Sequence, residues 1–153
     1  SLLISVSNDV LIKKMKNLSQ FKEKVNAREL LVQALYEFSF GHNNAKAIED
    51  SFRKDFRKTK IDYIFFRNIF GHITKNISDQ KKIISEVSEL EMFGIKSVGT
   101  MEENILLIIK AESELEKTPR EILIDEGVRL SKKFCSENSY KFINATLEKI
   151  LES

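Results

Sequence analysis

Residues 118–134, TPREILIDEGVRLSKKF, carry the pattern that decides the fold class of this chain. Thr118 and Glu121 have the spacing of a capping box, in which a Thr and a Glu three residues later satisfy amide groups at a helix start. Pro119 suits the first helical position, where a missing N–H costs nothing. Apolar residues then recur at three- and four-residue steps, so the segment predicts an amphipathic helix. Its predicted buried positions are Ile124, Val128 and Leu130 or Ser131.

The same helical spacing extends in both directions along the chain. A second capping box runs from Thr100 to Glu103, and Gly41 lies where the first helix of the domain would end. One proline and five glycines in 153 residues leave few positions that break a helix. The sequence therefore predicts an all-α fold of about seven helices in two packed helical subdomains. The predicted helix starts are Arg28, Asn44, Asp62, Ser78 or Asp79, Thr100, Thr118 and Ser139.

The first 22 residues differ in pattern from the rest of the chain. They carry four lysines and no clean amphipathic stripe, which predicts a basic, loosely ordered N-terminal arm over residues 1–22. Residues 23–153 are predicted to form a single helical domain. Its subdomains are expected at about 23–77 and 78–153, and residues 93–99, which contain Gly94 and Gly99, are predicted to form a loop.

The composition places the chain among intracellular globular proteins. Its apolar fraction is 42% and its charged fraction 31%, which is typical of a soluble domain with a packed core. The single cysteine, Cys135, excludes an internal disulfide and suits a reducing compartment. Apolar runs stay well short of the about 20 residues that cross a bilayer. We therefore expect a cytoplasmic protein that makes no membrane contact.

Charge is distributed unevenly, although the formal net charge is only +2. Residues 1–82 hold 16 Lys or Arg and 9 Asp or Glu, whereas residues 83–153 hold 9 and 14. Basic side chains bind phosphates and exposed aromatic rings stack on unpaired bases, so the first half favours a nucleic-acid partner. The basic cluster at residues 53–60 also has a structural explanation, because cations are favourable at a helix C-terminus.

Little in the sequence points to catalysis. His42 and His72 have no Cys, His or carboxylate at metal-ligand spacing, and the isolated glycines form no phosphate-binding loop. Cys135 lies near Lys132 and Lys133, but ordinary packing explains it better than a reactive thiol does. We therefore predict a protein that is not an enzyme, with no catalytic residue, no metal site and no cofactor.

Three segments resemble the NusB family of bacterial transcription antitermination factors. ARELLVQALY at residues 27–36 is similar to the opening helix of that family. Residues 118–134 resemble its P-x-x-V-x-I-N-E-A-V-E-L-A-K-x-F segment, and SYKFINATLEKI at 139–150 matches its S-x-K-F-V-N-G-V-L-D-K-I ending. The resemblance covers about residues 24 to 152 and is most specific in the C-terminal third.

The resemblance implies an RNA-binding factor that works through a protein partner. Members of the family bind the single-stranded boxA element of nascent ribosomal RNA together with a small-subunit ribosomal protein, and they act indirectly with other Nus factors on RNA polymerase. Carried over to this chain, the candidate RNA-binding residues are Lys22, Lys24, Arg28, Gln33 and Phe40. The candidate partner-binding residues are Tyr36, Glu102, Asn138 and Phe142.

This sequence departs from the family at positions that bear on RNA binding. Many relatives have a run of arginines where this chain has Lys24, Val25 and Asn26, and Asn138 stands where an Asp is usual. An alternative is therefore a helical protein-interaction module that has lost RNA specificity. A further alternative is the excised NusB-like domain that precedes some ribosomal RNA methyltransferases. Whether the protein is a monomer or a homodimer is left open.

Overall fold

The computed structural model describes the backbone of residues 2–152 and the side chains of residues 8–152. Seven α-helices and two short 3-10 turns account for the ordered elements of that range, and it contains no strand. The predicted all-α class with seven helices is confirmed. The helices are α1 (Leu2–Ser39), α2 (Ala45–Arg53), α3 (Tyr63–Lys75), α4 (Ile77–Val87), α5 (Thr100–Leu115), α6 (Arg120–Phe134) and α7 (Ser139–Ile150). The 3-10 turns are Asp55–Arg57 and Glu91–Phe93.

Helix α1 is much longer than the sequence pattern predicted. It runs for 38 residues and includes the segment that was expected to be a loosely ordered arm. No glycine or proline interrupts the chain before Gly41, so a helix that is nucleated in the core can extend toward the N-terminus. Side chains 8–22 are all exposed, and burial begins at residue 23. The boundary at residue 22 therefore marks the onset of packing and not the start of a helix; side chains 1–7 of the arm lie outside the described residues.

The side chains of two predicted helix-start residues cap their helices. The Asn44 side chain accepts from the amide of Ala47, and the Asp62 side chain accepts from the amide of Phe65. The two Thr capping boxes were wrong: α5 and α6 begin without a side-chain capping hydrogen bond. The Thr118 side chain is instead turned toward the buried Glu112 carboxylate, and its hydroxyl donates to Glu112 Oε2 at 2.7 Å.

Helix α5 lies at the centre of the molecule. It packs against α1 and α3 on one side and against α4, α6 and α7 on the other, so both predicted subdomains contribute to one hydrophobic core. Residues 105–109 of α5 are all fully or almost fully buried, which is the burial expected of a helix surrounded by others. The division near residue 78 stays a prediction. Within the described residues, no helix is long and apolar enough to cross a membrane.

Candidate functional site

One face of α1 carries four of the predicted site residues. Lys22, Gln33, Tyr36 and Phe40 are all exposed. Successive residues of an α-helix turn by about 100°, which places these four positions within about 60° of one another around the helix axis. Along the axis the row from position 22 to position 40 is about 27 Å long, at about 1.5 Å per residue. We call this row the α1 face.

An exposed aromatic cluster ends the α1 face. Tyr36 and Phe40 are 44% and 55% exposed, and their rings meet edge to face at a centroid distance of 4.9 Å. His42 follows in the turn after α1, with its ring nearly parallel to Phe40 at 6.5 Å. Large apolar rings in water are unfavourable unless a ligand covers them, so this end of the face is suited to stacking or to contact with a partner.

Lys24 and Arg28 point away from the α1 face. Both approach the ring of Phe65, Lys24 Nζ at 5.5 Å and the Arg28 guanidinium at 5.4 Å from the ring centroid. Lys24 is half-buried and lines a wide groove between α1, the start of α3 and the segment before α6. The structure therefore separates Lys22 from Lys24, which the sequence had grouped as neighbouring phosphate contacts.

The Arg28 side chain is buried in an ion-pair network. It is 2% exposed, and its Nε and Nη2 each donate to a different oxygen of Glu112 at 2.7 Å. Its Nη1 donates to Glu126 Oε1 at 2.5 Å. Burial lowers the pKa of Arg28, but the bonds to these two carboxylates outweigh burial and leave the pKa above its usual value. Each of the three guanidinium nitrogens of Arg28 already donates to a carboxylate and the side chain is buried, so the structure assigns Arg28 to the core and not to a surface that a phosphate reaches.

The network extends to the surface through α6. Arg129 donates to Glu126 Oε2 at 2.5 Å and to Glu29 Oε1 at 2.7 Å, and Lys133 donates to Glu29 Oε2 at 2.9 Å. We call the group formed by Arg28, Glu112, Glu126, Arg129 and Glu29 the Arg28 network. Lys133 is half-exposed and lies beside the α1 face, although the sequence analysis did not include it among the site residues. Its position depends on the packing of α6 on α1, which the sequence spacing does not show.

Three of the four predicted partner-binding residues line one small cavity. Glu102, Asn138 and Phe142 surround a volume of about 250 Å³ near the starts of α5 and α7. Glu102 Oε1 accepts from the Ser139 hydroxyl at 2.9 Å. The other lining residues include Phe93, Ile95 and Val98 from the loop before α5.

Phe142 and Tyr36 have different relations to this cavity. The Phe142 side chain is 3% exposed and packs edge to face on Phe93 at 6.0 Å, so it forms a wall and offers little surface of its own. Tyr36 is not among the lining residues and remains at the end of the α1 face. The predicted partner residues therefore form one cluster of three and one separate aromatic.

The remaining candidates for chemistry have structural roles. His72 Nε2 lies 2.8 Å from Glu114 Oε2, which is the local partner expected of a helix-surface histidine. Burial, together with the nearby Glu102 carboxylate, raises the pKa of the Cys135 thiol to about 12, so this thiol stays protonated at neutral pH. The described residues contain no cluster of His, Cys, Asp and Glu that could hold a metal ion.

Comparison with known proteins supports the resemblance to the NusB family that the sequence showed. The NusB family model matches residues 25–152. A protein of Buchnera aphidicola subsp. Acyrthosiphon pisum (strain Tuc7), named transcription antitermination protein NusB, is 36% identical over 126 residues, covering 80% of this chain and 85% of its own length. Proteins of the same name from Sodalis glossinidius and Aliarcobacter butzleri are 30% and 29% identical, covering 81% and 85% of this chain and 88% and 98% of their own. The chain belongs to the NusB family.

Proposed function

We propose that this protein is a transcription antitermination factor that binds boxA RNA together with a small-subunit ribosomal protein. The α1 face is the observation that carries the proposal. It presents a cation, an amide and aromatic rings in one exposed row, which are the groups that bind the phosphates, the base edges and the base faces of single-stranded RNA. Relatives that match most of the chain are named for antitermination. The proposed place of action is the cytoplasm.

The residues divide into three tasks in this proposal. Lys22 and Lys24 bind phosphates, with Lys24 at the edge of the wide groove; Gln33 hydrogen-bonds a base edge, and Phe40 stacks on a base. The ribosomal protein docks at Tyr36 and over the cavity of Glu102, Asn138 and Phe142. The α1 face and the docking residues are on the same domain, so the two proteins form a joint RNA surface. Once the RNA is bound to one of them, its binding to the other is intramolecular, which raises the overall affinity. Neither surface requires a covalent step, a metal or a cofactor. Other Nus factors and RNA polymerase are reached through this assembly.

A titration of labelled boxA RNA, with a scrambled RNA of equal length as competitor, tests the proposal. We expect the chain and the ribosomal protein together to prefer boxA, and to bind it more tightly than either alone. Equal affinity for the two RNAs at moderate salt, with the partner present, would contradict the proposal.

Two neighbouring aromatics allow the RNA and partner surfaces to be separated. Phe40→Ala removes a stacking ring worth about 1–3 kcal/mol, so boxA affinity should fall by at least about fivefold. Tyr36→Ala should instead weaken binding of the ribosomal protein. Ile83→Ala is a control, because Ile83 is 39% exposed on α4 and lines neither the grooves nor the cavity.

The alternative function is a protein-interaction module without specific RNA binding. The burial of Arg28 favours it, since that burial leaves fewer cations for phosphates near the start of the matched region. Capture of the ribosomal protein by a chain that does not distinguish boxA from scrambled RNA would support this alternative. A homodimer is a separate possibility that a measurement of the molecular mass in solution would test.

A further inference from the structure

A second groove lies on the opposite side of α1 from the wide groove that Lys24 lines. Its α1 wall contains Lys22 and Asn26, and its other wall is the segment 58–60 that leads into α3. The groove has a volume of about 580 Å³. Three lysines line it, Lys22, Lys58 and Lys60, with Glu23 as the acidic lining residue. We call it the lysine groove.

The two walls of the lysine groove are fastened to each other. Asn26 Nδ2 donates to the backbone oxygen of Lys60 at 3.0 Å, and the amide of Asp62 donates to the backbone oxygen of Glu23 at 3.3 Å. Asp62 also caps α3 through its side chain, which fixes the point where the segment ends. The groove is therefore preformed, and a ligand would not need to order a loop in order to bind.

Within the part of the chain whose side chains are described, the cations of this groove have no carboxylate partner. Among the described residues, Lys22, Lys58 and Lys60 form no salt bridge, and the same holds for Lys54 and Arg57 in the preceding segment. Residues 53–60 contain five cations and one acid, Asp55. Like charges held close together repel one another, so this arrangement costs stability unless an anion neutralises it.

The helix dipole does not explain these lysines. Helix α2 ends at Arg53, and the dipole effect falls off within the last turn of a helix. Arg53 itself is used inside the protein, where its guanidinium lies 5.0 Å from the centre of the Tyr63 ring. Lys58 and Lys60 follow the end of α2, beyond the reach of its C-terminal carbonyl groups. Their position beside α1 therefore calls for another explanation.

The lysine groove is continuous with the α1 face, because Lys22 belongs to both. We propose that the sugar–phosphate backbone of single-stranded RNA runs through this groove and continues along the α1 face. This inference rests on the proposed RNA-binding function and adds a contact surface to it. The groove lining offers lysines and amides but no aromatic ring, so the contact is independent of base sequence. Lys22 lies outside the residues 25–152 that match the family, whereas Asn26 and the segment 58–60 lie within them.

The test compares two double variants with equal loss of charge. Lys58→Gln with Lys60→Gln changes the groove, and Lys75→Gln with Lys96→Gln is the control, since Lys75 ends α3 at the far end from the groove. Binding of the full chain to labelled boxA RNA and to a uridine oligomer of equal length is measured over a range of salt concentrations. Each lost phosphate contact with single-stranded RNA lowers the slope of log K against log salt concentration by about 0.7. Loss of two contacts should therefore reduce this slope by about 1.4, which corresponds to about 25-fold weaker binding at 0.1 M salt.

The outcomes separate the groove from the proposed function. Weaker binding of both RNAs by the groove variant alone, with a flatter salt slope and unchanged urea unfolding, supports the groove. If the groove variant and the control bind RNA equally well, the proposed path through the groove is wrong, even if boxA is still preferred over the uridine oligomer. A loss on the uridine oligomer, with no boxA preference by the chain and the ribosomal protein together, keeps the groove and overturns the proposed function. Absence of binding to either RNA by the unaltered chain, with the ribosomal protein present, overturns both.

Discussion

The Arg28 network and the lysine groove contain similar residues of the same helix with opposite surroundings. Arg28 meets Glu112 and Glu126 in the core, so its charge is neutralised inside the protein and its side chain is 2% exposed. Lys22 is exposed and shares its groove with Lys58 and Lys60. The fold therefore neutralises the charge of Arg28 inside the protein and leaves that of Lys22 accessible to an external anion.

The largest expected effect is on stability, from breaking the Arg28 network. Arg28→Ala leaves Glu112 and Glu126 buried without their shared partner, which should lower the free energy of unfolding by about 3–5 kcal/mol. Urea unfolding at neutral pH measures this change. Arg28→Lys should be intermediate, because it keeps the charge but loses the two-pronged contact with Glu112. If the Arg28→Ala protein had normal stability but bound RNA more weakly, Arg28 would be an RNA contact and not part of the core.

A smaller loss is expected at the outer part of the network. Arg129→Gln removes bonds to Glu126 and Glu29, but Glu126 keeps its bond to Arg28. Because Arg129 is one-third exposed, water replaces part of what is lost, and the free energy of unfolding should fall by about 1–2 kcal/mol. A loss as large as that from Arg28→Ala would show that the network acts as one unit and not as an inner and an outer part.

Acid should weaken the outer part of the same network. Burial raises the pKa of Glu29, but hydrogen bonds from Lys133 and Arg129 outweigh burial and hold the pKa below its ordinary 4.5. A carboxylate with a lowered pKa in the folded state stabilises the fold above its ordinary pKa, and this stability is lost as pH falls through the folded-state pKa. Urea unfolding followed from about pH 7 to about pH 3 should therefore show a decline below 4.5 that is shallower in Glu29→Gln.

The smallest effect on stability is expected in the lysine groove. Lys22→Gln removes an exposed cation with no carboxylate partner in the described structure, so the free energy of unfolding should change by less than about 0.5 kcal/mol. RNA binding should nevertheless weaken and lose salt dependence. Lys82→Gln, on an exposed position of α4, is the matched control for charge. A destabilised Lys22→Gln protein would indicate a structural contact that the groove geometry does not show.

The sequence was informative where the signal is local. Helical periodicity predicted the seven helices, and Asn44 and Asp62 were identified as helix starts, where each caps its helix through an amide three residues away. Arg28 could not be assigned in this way, since its carboxylates are 84 and 98 positions distant and on other helices. The Thr118 cap failed for the same reason: the residue that orients its side chain, Glu112, belongs to α5.

The candidate site followed the same rule. The grouping of Lys22, Gln33, Tyr36 and Phe40 follows from helical geometry once α1 is known to be continuous. The basic cluster at 53–60 was visible in the sequence, but its position across a groove from Lys22 depends on the bond from Asn26 to Lys60. The clustering of Glu102, Asn138 and Phe142 likewise depends on the packing of α5 beside α7.

The continuity of α1 fixes the angular phase of the N-terminal residues relative to the core. Inserting one alanine between Lys22 and Glu23 would rotate Lys22 by about 100° about the helix axis and turn it out of the lysine groove, while Asn26, Gln33 and Phe40 stay in place. Inserting seven would restore the direction to within about 20° but move Lys22 about 10 Å along the axis. The length and the phase of one helix therefore set how far apart, and in which direction, the proposed phosphate and base contacts lie.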